Sequence, residues 1–384
     1  MVPRLPHFLI LLLAMFTTAA SAAPRDFFVY FGTYTKGSSK GIYRSRLDVS
    51  TGRLTPAELA AETKNPSFLA LHPRGNFLYA IDESADAKRT PGGGLGAFAF
   101  DRATGALTLL NRQTTGSSGG CHLAVDATGR TVLVANYGGG SVSAVALEPD
   151  GRLGSPGSLI QHTGSSVNPA RQKGPHAHQV VLSADNRFAF APDLGLDQVL
   201  VYALDPAHAR LTAHSPAYAS LPPGSGPRHL AFHPRNRFAY VINELLCTMT
   251  AFRFDAARGV LTEIQSLSTL PPGESVRPGT STAEVEVHPS GKFLYGSNRG
   301  HDTIVVYSID EATGRLTYVE HVSTRGKTPR HFALDPTGTW LLAENQDSDT
   351  VAVFRVDAST GRLTPTGPLV DVPMPVCAVF VPVP

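Results

Sequence analysis

The chain has 384 residues and a formal net charge of +2, a balance that gives no reason to expect nucleic acid or an anionic membrane as a partner. Charged residues make up 17% and apolar residues 42%, an ordinary globular composition with enough length for a large core. Gly (36) and Pro (30) are spread throughout and favour many short strands and turns over long helices.

The N-terminus stands apart. Arg4 precedes an apolar run over residues 8–16, and small residues follow up to Ala23. A basic residue, a short apolar stretch and an Ala-x-Ala-like site describe a secretory signal peptide over residues 1–22, cleaved after Ala22. The run is too short to span a bilayer. Export is therefore expected, to the periplasm or beyond the cell, with a soluble mature domain over 23–384. Export permits disulfides, but Cys121, Cys247 and Cys377 are odd in number, sparse and without metal-ligand spacing. They read as three buried thiols, with no disulfide framework and no zinc site.

From there the chain repeats. A turn motif begins at His72-Pro73-Arg74-Gly75 and recurs at Asp126, Ser183, His233, His288 and Asp335, about 50 residues apart. In each copy an apolar stretch precedes the turn and another follows, so the motif reads as strand, turn, strand. A second marker, Thr51-Gly52-Arg53-Leu54, recurs near residues 104, 151, 209, 258, 313 and 360. It reads as the hairpin between the third and fourth strands of each unit. In the first complete copy the four strands fall at 66–71, 77–81, 96–100 and 107–112. The marker arginines, and the turn histidines His72, His233 and His288, read as solvated turn residues rather than ligands. The Gly92-Gly93-Gly94 and Gly138-Gly139-Gly140 loops are poor phosphate cradles, because no helix follows them.

There are seven copies of the second marker and six of the first. Residues 27–34 look like a second strand without its first, and residues 375–380 look like a first strand without its second. The two ends complete one split unit, which predicts a closed ring of seven four-stranded antiparallel sheets, an all-β seven-bladed β-propeller. Closure removes the bare edge an open array would expose.

Inner and second strands are antiparallel, so the start of each inner strand and the end of each second strand share one face beside the axial channel. Inner-strand starts carry Cys121 and His122, His178 (with His176 two residues before it), Arg228 and His229, Glu284, and Arg330 and His331. Second-strand ends carry Asp82-Glu83, Asn136-Tyr137, Asp193, Asn243-Glu244, Asn298-Arg299 and Glu344-Asn345. A polar belt around a water-filled channel would explain any one of these. It explains less well the grouping of His176, His178, Arg228, Glu244, Glu284 and Arg299 in adjacent units. An acid or base beside two guanidinium groups suits a reaction on an anionic acyl or carboxylate substrate.

The stretches Gly174-Pro175-His176-Ala177-His178, Gly226-Pro227-Arg228-His229-Leu230, Val241-Ile242-Asn243-Glu244-Leu245, Ala283-Glu284-Val285, Ser297-Asn298-Arg299-Gly300-His301-Asp302 and Pro329-Arg330-His331-Phe332 resemble the lactonase family of seven-bladed propellers. That family includes propeller-type 6-phosphogluconolactonases and carboxymuconate lactonizing enzymes. The resemblance implies an enzyme free of metal and cofactor that opens or closes a lactone ring. Carried over by motif, His178, Glu244, Arg228 and Arg299 are the catalytic set. Glu244 or His178 would activate water or move a proton, and the two arginines would hold the substrate anion and the developing oxyanion. His176, His229, Glu284, Arg330, His331 and Glu344 would line the substrate site. The expected partner is a small-molecule lactone or sugar acid, and the expected state a monomer. Export argues for a non-phosphorylated sugar lactone or a carboxylated one, because phosphorylated sugars do not readily cross membranes. The alternatives are a non-catalytic propeller that binds an anion or a protein at the same mouth, and a muconate-type lactonizing enzyme.

Overall fold

The computed structural model describes residues 26–83 and 94–383. The leader expected at 1–22 and Gly92-Gly93 lie outside the described residues. Seven antiparallel sheets follow one another along the chain, six of four strands and one whose outermost strand is broken in two. The innermost strands are Leu69–Leu71, Gly120–Val125, Val181–Leu182, Pro227–Phe232, Ser281–Val287, Pro329–Leu334 and Pro375–Pro382. The last of these belongs to the split blade. It pairs with Asp26–Thr33, with Val381 opposite Phe28 and Cys377 opposite Gly32. The innermost strand of the split blade packs on both neighbours, Pro329–Leu334 and Leu69–Leu71, so the ring is closed.

Burial grades outward from the axis. Second strands such as Thr131–Asn136 and Phe238–Asn243 are buried along their whole length, because blades cover both faces. Outer strands such as Arg210–Ser220 are largely exposed, and the polar residues collect there. The cores lie between blades. One packs Phe190, Val199 and Val201 against Leu230, Val241 and Phe254 of the next blade.

The two sequence markers turn out to be the joints between blades. Tyr30, Tyr79, Tyr240 and Tyr295 donate their hydroxyls to the carbonyls of Gly105, Gly151, Gly314 and Gly361 in the hairpin of the following blade. The glycine is required for space as well as conformation. Gly314 has φ +75°, and a Cβ there would stand 2.4 Å from the Phe238 ring. The marker arginines point outward, with Arg53 and Arg315 exposed and Arg362 pairing with Glu320 at 2.8 Å.

The turn histidines differ from expectation. His72, His233 and His288 are buried, not solvated. His233 donates Nε2–H to the carbonyl of Gly291 in the next blade at 2.9 Å, and its Nδ1 accepts from the backbone N–H of Arg235 at 3.0 Å. His72 and His288 make the equivalent bonds to Gly129 and Gly338. A turn seen alone looks solvent-exposed; the next blade covers it.

Inner strands also start later than expected in two blades. Regular pairing begins at Leu69 in the first blade and at Val181 in the third. In the third blade only an isolated bridge from Ala177 to Asp193 precedes it.

Candidate active site

The channel mouth is built at a recurrent irregularity. In five blades the pairing of inner and second strands slips at the start of the inner strand. Pro227 faces Asn243 and His229 faces Ile242, so Arg228 is the extra residue of a bulge. Pro329 and His331 flank Arg330 in the same way. Strict strand alternation would send neighbouring side chains to opposite faces. The bulge re-aims one of them, so Arg228 and His229, and likewise Arg330 and His331, all reach one cavity. Ser67, Phe68, Glu83, Cys121, Glu284 and Val376 complete its lining.

Above that cavity, Glu244 is ringed by guanidinium groups. Its carboxylate lies 2.7 Å from Arg171, 2.9 Å from Arg299 and 3.3 Å from Arg228. Arg228 and Arg299 are braced on blade five, Arg228 by the Ala283 carbonyl at 2.5 Å and Arg299 by the Thr282 carbonyl at 2.7 Å. Burial alone would push the Glu244 carboxyl up. Arg299, Arg228 and Arg171 overcome that and hold it down to about 2. Burial, with Arg330 and Arg299 nearby, pulls Arg228 down to about 9, so it stays charged at neutral pH. Three cations around one anion leave a local positive surplus in a buried place, where charge is costly without a partner. The Nε atoms of Arg228 and Arg299 are buried and make no well-aligned hydrogen bond among the described residues, although Arg228 Nε stands 3.3 Å from the Glu244 carboxylate.

Arg171 was absent from the sequence expectation. It lies on the connection between Leu153–Gln161 and the third blade, a segment with no counterpart in the repeat. Asp197 ties that segment down, accepting from Ser166, Gln172, Gly224 and Gly226. Arg171 also donates to the Tyr137 hydroxyl at 3.1 Å. The length of this connection, beside the expected mouth, was the available signal.

The histidines fill the axis. His178 and His229 rings stand 5.2 Å apart, His229 and His122 5.4 Å, and Phe68 contacts both His122 and His331. His176 does not share this space. It stacks on Tyr137 at 4.5 Å and bonds the Tyr137 carbonyl. Burial, with Arg228 adding to it, drives His178 and His229 well below the ordinary imidazole range, so both are neutral at pH 7. His229 Nδ1 meets Glu284 at 2.9 Å, and His331 Nδ1 meets Glu344 at 2.9 Å. Arg330 lies over the Tyr34 ring at 5.4 Å and makes no hydrogen bond or ion pair among the described residues. The structure thus brings Arg228, Arg299, Glu244, His178, His229, Glu284, Arg330, His331 and Glu344 to one mouth and leaves His176 at its edge.

Cys121 is at the same mouth but is not a nucleophile candidate. Its thiol donates to the His178 carbonyl at 3.3 Å, and burial pushes it up to about 12. Cys247 and Cys377 are free and buried as well. Among the described residues no cluster of His, Cys, Asp or Glu is arranged to hold a metal ion.

Comparison with known proteins agrees with the propeller fold. The family model described as "Lactonase, 7-bladed beta-propeller" matches residues 28–380. A 6-phosphogluconolactonase of Bacillus subtilis is 38% identical over 352 residues, covering 91% of this chain and 97% of that one. A 6-phosphogluconolactonase of Formosa agariphila is 32% identical over 80% of this chain and 86% of that one. The structure of the periplasmic gluconolactonase of Pseudomonas aeruginosa superposes with a TM-score of 0.87 at 35% identity, covering 94% of this chain and 100% of that one. With the closed ring and these relatives in agreement, the chain belongs to the lactonase family of seven-bladed β-propellers.

Proposed function

We propose that this protein is an exported, monomeric, 6-phosphogluconolactonase-like lactonase that hydrolyses a non-phosphorylated sugar lactone or a carboxylated lactone at the axial mouth. The observation that carries the reading is Glu244 clamped by Arg171, Arg228 and Arg299 beside neutral histidines. Lactone hydrolysis builds negative charge on the carbonyl oxygen when water attacks, and fixed cationic donors stabilise it. Arg228 and Arg299 take that role and also hold the anionic product. Glu244 holds the guanidinium groups in place. A carboxyl kept at about 2 by three cations is a weak base, so the proton from water passes to a neutral imidazole instead. The C–O bond to the ring oxygen then breaks, and the ring oxygen leaves as a hydroxyl once protonated.

Export rests on the leader at residues 1–22 and on likeness to a periplasmic relative. Sequencing the N-terminus of protein from the periplasmic fraction or the medium should find Ala23, and an intact Met1 would remove the export reading. The activity is tested by pH-stat titration of purified protein against aldonolactones, uronic-acid lactones and a phosphorylated lactone. Acid release above the spontaneous rate is expected. Thermal stabilisation by sugar acids without turnover of any lactone would replace the enzyme by a binding protein.

A further inference from the structure

We propose that His229 is the general base of this site, and that Glu284, His331 and Glu344 form a buried relay that fixes its tautomer. The inference rests on the lactonase reading for the base, but the relay does not depend on that reading. The four groups form one line: His229 Nδ1 lies 2.9 Å from Glu284, Glu284 lies 3.6 Å from His331 Nε2, and His331 Nδ1 lies 2.9 Å from Glu344.

One arrangement of protons satisfies the hydrogen bonds at both ends of that line and agrees with the burial of its carboxyls. Burial, with Glu284 nearby, raises the Glu344 carboxyl well above its ordinary range, which favours the protonated form donating to His331 Nδ1 at 2.9 Å. Its other oxygen is buried without a partner, which suits a neutral acid better than an anion. With Nδ1 accepting, His331 carries its proton on Nε2 and presents it to Glu284. Burial raises Glu284 too, while His331, Arg228 and the Val285 N–H favour its anion. An anionic Glu284 accepts from His229 Nδ1–H, while His331 Nε2 stands 3.6 Å away on the other side, an electrostatic contact longer than a hydrogen bond. His229 Nε2 is left with its lone pair and makes no hydrogen bond among the described residues. His229 lines the cavity beneath Arg228 and Arg330.

The competing base is His178. Among the described residues its Nδ1 has only the Cys121 sulfur, at 4.0 Å, and no carboxylate bonds the ring. His122 has a buried, unpartnered Nδ1 and lies against Phe68. The charged groups facing His229 are Arg228 and Arg330, which oppose its protonation, and Glu284 and Glu244, which favour it. In the reaction, His229 Nε2 takes a proton from water as its oxygen bonds to the acyl carbon. Glu284 stabilises the imidazolium. The same proton passes to the ring oxygen as its bond to the acyl carbon breaks, and the acid product ionises to solvent.

Conservative substitutions discriminate between the members. In Glu344→Gln the amide N–H₂ replaces the carboxylic O–H as donor to His331, so the relay keeps its polarity and His229 should keep its wild-type tautomer. In Glu284→Gln an amide can donate to Nδ1 and force the other tautomer, a change of the kind that costs about 10⁴ in a serine-protease triad. A loss on the order of 10² to 10⁴ in kcat with little change in KM is expected. His229→Gln should lose on the order of 10² or more.

The tautomers are read independently of turnover, from ¹⁵N spectra of the imidazoles in labelled protein, with His229→Gln identifying the signal. His229 should be the Nδ1–H form in wild type and in Glu344→Gln, and should change in Glu284→Gln. An Nε2–H form of His229 in wild type would overturn the relay whatever the activity. Full activity in His229→Gln would overturn the base assignment and leave the lactonase reading standing. A wild type that opens no lactone would remove that reading and the base role together, with the spectra still deciding the relay.

Discussion

Histidine serves two opposite purposes in this ring, and the contrast separates structure from chemistry. At the turns, His233 has both ring nitrogens engaged by backbone, one in its own turn and one in the next blade. Such a ring is a clip between blades with nothing left over to react. At the axis, His229 has one nitrogen on a carboxylate and the other unclaimed in a cavity. Both rings are buried. Which partners they meet, not how buried they are, decides the role.

The contrast can be broken from either side. Of these two sides the larger effect is expected at the mouth, where Arg299→Ala should cost on the order of a hundredfold or more in kcat/KM, from loss of an oxyanion donor. Steady-state kinetics on any lactone the wild type opens would check it, and near-normal turnover would move the anion site elsewhere. His233→Ala should do the reverse. It leaves the buried Gly291 carbonyl without its donor and should lower stability by about 1–3 kcal/mol, with kcat unchanged well below the melting temperature. A fall in kcat without a fall in stability would erase the distinction.

A third expectation concerns acid. Glu244 has its folded-state pKa depressed from 4.5 to about 2, so its contribution to stability is complete above about pH 4.5. It is lost as pH falls from there through 2. Glu244→Gln should be less stable than wild type at pH 7, with the gap closing over that window in melting curves against pH. A constant gap would mean the guanidinium cluster does not hold the carboxylate. Arg171→Ala, removing one of three cations from a half-exposed strap, should raise KM several-fold with little change in kcat. The smallest effect belongs to the marker arginines: Arg53→Ala and Arg315→Ala should change stability by less than about 0.5 kcal/mol.

Circular closure was legible because the two chain ends each supplied half of a unit seen entire elsewhere, and Val381 does lie opposite Phe28. Most of the mouth was legible for the same reason, since repeated strands put their starts and ends in register around the axis. Three things were not. Arg171 lies in a connection outside the repeat, where no second copy reveals its place. The bulges that turn Arg228 and Arg330 inward depend on pairing with a neighbouring strand, which leaves no local signature. The turn histidines are buried by a blade about 55 residues further along, so their own turn gives no hint of it. The expectation of Glu244 as an acid or base came from the motif; the three cations around it come from three different segments, which the motif does not show.

The most direct measurement is a crystal structure with an aldonic acid, the product of lactone opening. The product carboxylate should lie within hydrogen-bond distance of Arg228 and Arg299, with its chain directed down toward His229. A carboxylate bound anywhere outside the axial mouth, or in the mouth but turned away from both arginines, would contradict the account.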